Sequence, residues 1–125
     1  MSTPKNLGPD ESAWLTTLSA DGSPHTTPVW FVADGESIWV ATSVAAQKVR
    51  NLARDPRLSL AVDGSGQRPQ VASGRSAERA CDQHPDIIAA FAAKYRGWDA
   101  ADPTHYGPRV LLEIQVDRWL LGGPG

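Results

Sequence analysis

The chain has 125 residues, enough for about one domain able to bury roughly two thirds of its unfolded surface. Its 41% hydrophobic and 21% charged residues are those of an ordinary globular protein, and no apolar run approaches the roughly 20 residues that a membrane-spanning helix needs. Twelve Lys plus Arg against fourteen Asp plus Glu give a net charge of -2, without the basic excess that nucleic-acid phosphates demand, so neither nucleic acid nor membrane is an expected partner.

The N-terminal MSTPKNLGPDES has no apolar secretory segment and the lone Cys81 cannot form an internal disulfide, which together lead to a cytoplasmic expectation. A single domain over residues 1–125 is expected, loose at about 1–10 and 122–125. Asp21-Gly22 and Asp34-Gly35 each separate β-prone stretches, and Asp-Gly favours tight hairpins because both turn positions tolerate positive φ. Three strands follow, at about Ala13 to Ala20, His25 to Ala33 and Ser37 to Ala41.

From Val44 the period changes. Ala45, Val49, Leu52 and Ala53 fall on one face of a helix, with Gln47, Lys48, Asn51 and Arg54 on the other, and Pro56 stops it. Leu58, Leu60 and Val62 alternate in a fourth strand, Gly64-Ser65-Gly66 turns the chain, and a fifth strand runs from Gln70 to about Ala77. His84-Pro85-Asp86 reads as a helix start, Ile88, Phe91, Ala92 and Tyr95 as its apolar face, and Gly97 as its end. Val110, Leu112, Ile114 and Val116 alternate in a sixth strand. The whole is mainly β: a six-stranded antiparallel barrel, closed or split, with two or three short helices.

The strand-to-helix junction at Val40-Ala41-Thr42-Ser43 is the candidate site. A helix N-terminus leaves about four N–H groups unpaired and carries a partial positive charge, which suits an anion. Thr42 or Ser43 can cap the helix and offer a hydroxyl, while Lys48 leans back toward the same end. Local sequence leaves open the plainer reading of a simple cap and a solvated lysine. Lys48, Arg50, Arg54 and Arg57 form a basic cluster inside an acidic chain, fit for a small anion.

Other chemistry finds little support. No phosphate-cradling GxxxxGK[ST], no GxGxxG and no GxSxG is present. His25, His84 and His105 stand far apart with no second ligand at short spacing, so no metal is expected, and Cys81 has no nucleophile motif. Among the five tryptophans, Trp30, Trp39 and Trp98 can flank a planar ring or fill a core, and Trp30 and Trp98 lie outside cleanly alternating stretches.

The series from Thr42 to Arg57, with Thr-Ser, Lys48, Val49, Arg50-Asn51-Leu52 and Asp55-Pro56-Arg57, resembles the pyridoxamine 5′-phosphate oxidase-like split-barrel superfamily of flavin and deazaflavin proteins. The resemblance extends more loosely from about residue 10 to 120 and is strongest to its small actinobacterial branch, which uses the deazaflavin coenzyme F-420 in place of FMN. It implies a homodimer of six-stranded Greek-key split barrels with the cofactor between subunits. By matching position, Thr42, Ser43 and Lys48 would hold the phosphate, and Thr27, Pro28, Val29 and Trp30 would line the ring; Trp98 is a further cofactor-binding candidate on its aromatic character alone. Many relatives carry Arg before the lysine; here Gln47 stands there, leaving Arg50 or Arg54 as replacements. The ending Trp119-Leu120-Leu121-Gly122-Gly123-Pro124-Gly125 lacks the Arg-Leu-rich tail of vitamin B6 oxidases, which disfavours pyridoxine oxidation.

The implied activity is hydride transfer from F-420, or alternatively FMN, to a small planar electron-poor substrate. The cofactor then carries the chemistry and no catalytic residue is assigned; Tyr95, Tyr106 and His25 are the candidate proton donors. A non-catalytic flavin, deazaflavin or tetrapyrrole carrier is the alternative.

Overall fold

In a computed structural model, residues 12–62 and 69–122 are described; the Gly64-Ser65-Gly66 turn and nearly all of the expected loose ends lie outside them. The elements are β1 (Ala13–Leu18), β2 (Pro24–Val29), β3 (Phe31–Asp34), β4 (Ser37–Ser43), α1 (Gln47–Arg54), β5 (Arg57–Val62), β6 (Gln70–Arg79), α2 (Pro85–Lys94) and β7 (Arg109–Leu121). A single 3-10 turn, Cys81–Gln83, precedes α2. All strand pairs are antiparallel, in the order β2-β1-β5-β6-β7-β4-β3.

The described strands number seven rather than six. The uniform stretch from His25 to Ala33 breaks at Trp30: β2 pairs with β1 at one end of the sheet, and β3 pairs with β4 at the other. Both Asp-Gly hairpins form, with Gly22 at φ 85° and Gly35 at φ 59°, and Asp21 accepts hydrogen bonds from the Ser23 amide and hydroxyl.

Val29 from one end strand and Phe31 from the other share one core with Leu15, Val40, Leu60, Leu112 and Ile114, so the sheet curls until its ends face a common interior. This is the expected split barrel. Leu52 of α1 joins that interior. On the outer face of β3, β4 and β7 a second cluster packs Val32, Trp39, Ala41 and Leu111 under Ile87 and Phe91 of α2. β4 is therefore apolar on both faces along its middle, which is why residues 38–41, Ile-Trp-Val-Ala, form a continuous apolar run. Along α2 the deepest residues are Ile87 and Phe91, with Ile88 and Tyr95 only partly covered.

Asn51 corrects the helix reading. It is wholly buried rather than solvated, its amide donates to Thr17 Oγ1 at 3.0 Å, and its carbonyl accepts from Gln47 Nε2 at 2.8 Å. A polar residue survives there because each end of its amide finds a partner. Gly74, at a β-bulge of β6, lies so close to the Gln115 carbonyl of β7 that no side chain fits.

Candidate functional site

β4 stays paired with β7 through Ser43, which stands opposite Arg109, and the Val44 amide extends the ladder by donating to the Pro108 carbonyl at 2.9 Å. These ladder bonds delay the helix. Its N-cap is Ala46, with extended backbone and no side-chain cap, so the expected capping by Thr42 or Ser43 is corrected. Thr42 is buried within β4. The Ser43 hydroxyl donates to the Tyr106 carbonyl at 2.7 Å and accepts from the Ala45 amide at 3.3 Å, tying the junction to the segment before β7.

Lys48 stands half-buried on the first turn of α1, and burial, then the nearby Arg109 charge, lowers its pKa from the ordinary 10.5. Arg109 is also half-buried. Its Nε donates to the Ala100 carbonyl at 3.1 Å, its guanidinium lies 5.5 Å from the Trp98 ring centre, and burial lowers its pKa. Among the described residues neither cation forms an ion pair. Asp102 is near enough to act on Arg109 but forms no ion pair with it, so two partly desolvated like charges share this junction, an arrangement that a bound anion would relieve.

Arg109 was not singled out from the sequence. Its only local sign is a cation at the head of an otherwise apolar strand, Arg109-Val110-Leu111-Leu112, and the partner Lys48 lies on a distant stretch of chain. The expected replacements behave differently. Arg50 folds back onto the Ala45 carbonyl and Gln47 Oε1, both at 2.7 Å, and Arg54 reaches the Leu18 carbonyl at 2.9 Å.

On β2 the candidate ring-lining residues divide by face. Val29 is buried in the core and Thr27 is half-buried, with its Oγ1 enclosed and without a hydrogen-bond partner; Pro28 is exposed, and Trp30, just beyond the strand, is 46% exposed. Among the described residues β2 is also an end strand, paired with β1 alone, and no described strand pairs with its other edge. Trp30 lies flat on Tyr95 at 4.5 Å between ring centres and edge-on to Trp98 at 5.1 Å. Trp98 thus touches Trp30 on one side and Arg109 on another, and links the β2–β3 crossing to the head of β7.

The candidate proton donors are unequal. Tyr95 Oη accepts from the Phe31 amide and donates to the Phe31 carbonyl, Tyr106 is 75% exposed, and His25 Nδ1 is enclosed without a partner. Burial raises the Cys81 pKa, which lowers its thiolate content and its reactivity. Among the described residues no three metal-ligating side chains converge, and no helix is long and apolar enough to cross a membrane.

Residues 7–121 match the family model described as pyridoxamine 5′-phosphate oxidase. The chain belongs to that family. It is 35% identical over 112 residues to the F-420-dependent biliverdin reductase of Mycobacterium tuberculosis, an alignment covering 86% of this chain and 77% of that protein. A conserved hypothetical protein of the same organism superposes with TM-score 0.72 at 26% identity, over 87% of this chain and 74% of its own. A heme storage protein of Vibrio cholerae shares the fold, with TM-score 0.74 at 20% identity over 93% and 89% of the two chains.

Proposed function

We infer that this chain is an oxidoreductase that holds coenzyme F-420, with FMN as the alternative, and delivers a hydride to a small planar electron-poor substrate. The observation that carries the reading is the Lys48–Arg109 pair: two half-buried cations with depressed pKa values and no carboxylate bonded to either among the described residues. The name of the 35% identical relative supports the choice of coenzyme, and biliverdin is the first substrate to try.

In this reading Lys48 and Arg109 neutralise the coenzyme phosphate, with Thr42 and Ser43 at the rim of the same junction. The edge of β2 away from β1, Pro28 and Trp30 meet the ring, with Trp98 beside it, while Val29 shapes the strand from the core side. Arg50 stays at the helix start, braced on Gln47. Bound there, a deazaflavin supplies two-electron hydride chemistry. The protein contributes placement and exclusion of water, so no acid–base pair is required of it. A second copy of the chain would complete the groove, and exposed Trp14, Leu120 and Leu121 offer apolar surface for a homodimer.

A fold does not by itself imply catalysis, and the name of the heme storage protein that shares it keeps a binding or carrier role as the second reading. Oxidation of reduced F-420 by biliverdin, quinones and nitro compounds, followed by coenzyme absorbance, separates the readings. Turnover with any acceptor supports the oxidoreductase, tight binding without turnover supports a carrier, and no binding of F-420 or FMN overturns both.

A further inference from the structure

The chain crosses from one end of the sheet to the other between Val29 and Phe31, and two side chains at the end of α2, Lys94 and Tyr95, hold that crossing. Tyr95 Oη accepts the Phe31 amide proton at 2.9 Å and donates to the Phe31 carbonyl at 2.8 Å. Lys94 adds a bond to the same carbonyl at 2.9 Å, with its ammonium 3.6 Å from the centre of the Phe31 ring. The Tyr95 ring lies parallel to Trp30, with an interplanar angle of 1°, and is backed by Phe91 at 6.0 Å. Trp98 meets both Trp30 and Tyr95 edge-on, at 85°. One face of the Trp30 indole is thus fixed by Tyr95 and one edge by Trp98, while nearly half of the residue remains open.

We propose that Tyr95 is a positioning residue: by binding both backbone groups of Phe31 and stacking on Trp30, it sets the plane of the half-exposed indole as a rigid platform for a planar ring. The proposal rests on the reading that Trp30 borders the coenzyme ring, but its first test does not need the coenzyme. An indole free to rotate would have to give up that freedom on stacking a ligand, and immobilising it beforehand removes the cost. Tyr95→Phe keeps the aromatic ring and deletes the hydroxyl, which leaves the Phe31 amide without its acceptor.

Acrylamide quenching of tryptophan emission is measured in wild type and Tyr95→Phe, each corrected by its own Trp30→Phe counterpart to isolate Trp30. The expected result is a Trp30 quenching constant about twofold higher in Tyr95→Phe; an unchanged constant overturns the proposal whether or not F-420 binds. Titration with F-420 is the second readout, made in the wild-type and Trp30→Ala backgrounds. Tyr95→Phe is expected to weaken binding about three- to tenfold in the first background and not at all in the second. Equal losses in both would mark Tyr95 as merely structural and also overturn it. Failure of F-420 to bind wild type overturns the proposed function and leaves the quenching result to decide the role of Tyr95.

Discussion

Ser43, the last residue of β4, stands directly opposite Arg109, the first residue of β7, and this register brings a cation from late in the chain to the start of α1. Because Arg109 shares the junction with Lys48, Arg109→Gln is expected to lower F-420 affinity about tenfold or more, the consequence of losing a charge-assisted contact of about 1.5–3 kcal/mol. Fluorescence titration reads the loss, and an unchanged far-ultraviolet circular dichroism spectrum shows that the fold persists.

Lys48 is expected to trade stability for binding. Removing one of two desolvated cations relieves their repulsion, so ligand-free Lys48→Gln should melt at or above the wild-type temperature although it binds coenzyme poorly. A lower melting temperature would show that Lys48 supports the fold itself.

The same lysine sets a pH dependence. Its folded pKa lies below 10.5 and returns to that value on unfolding, so over this interval the unfolded chain binds more protons and ligand-free stability rises with pH. A bound phosphate favours the charged ammonium and raises its pKa, so affinity falls as pH climbs through the ligand-free value. Thermal melts with and without F-420, at about pH 7.5 and about pH 10, should show a smaller ligand-induced shift at the higher pH.

Asn51→Ala removes the donor to Thr17 and the acceptor for Gln47 in a site closed to water. The expected cost is about 1–3 kcal/mol, the usual penalty for a buried group left unpaired, measured by urea denaturation with an unchanged slope.

Gly74→Ala would drive a methyl group into the Gln115 carbonyl and toward Val116 Cα of the neighbouring strand. Both neighbours are backbone, so the strands must part, and a loss of about 1–3 kcal/mol is expected in the same denaturation experiment.

Much of the fold was legible in the sequence because its signals are local. Asp21-Gly22, Asp34-Gly35 and Pro85 mark turns and a helix start through their own backbone preferences, and the alternation of Leu112, Ile114 and Val116 marks one buried face. The break at Trp30 was hidden because β-prone residues continue on both sides of it; what separates β2 from β3 is pairing with different partners. The helix start was misplaced because the bonds that hold Ser43 and Val44 extended come from residues 106–109, which helix-capping preference does not register. Asn51 looks like a surface residue until Thr17 is seen beneath it. Of the candidate site, Lys48 and Ser43 could be read from a strand running into a helix, whereas Arg109 could not, since only the β4–β7 register makes it their neighbour.

The central claim, that the Lys48–Arg109 junction holds the coenzyme phosphate, is tested most directly by titrating wild type and Lys48→Ala with F-420 and with the same deazaflavin chromophore lacking the phosphate. Wild type should prefer the phosphorylated form by about tenfold or more, and Lys48→Ala should lose most of that preference while binding the bare chromophore as before. Equal preference in the two proteins would contradict the account.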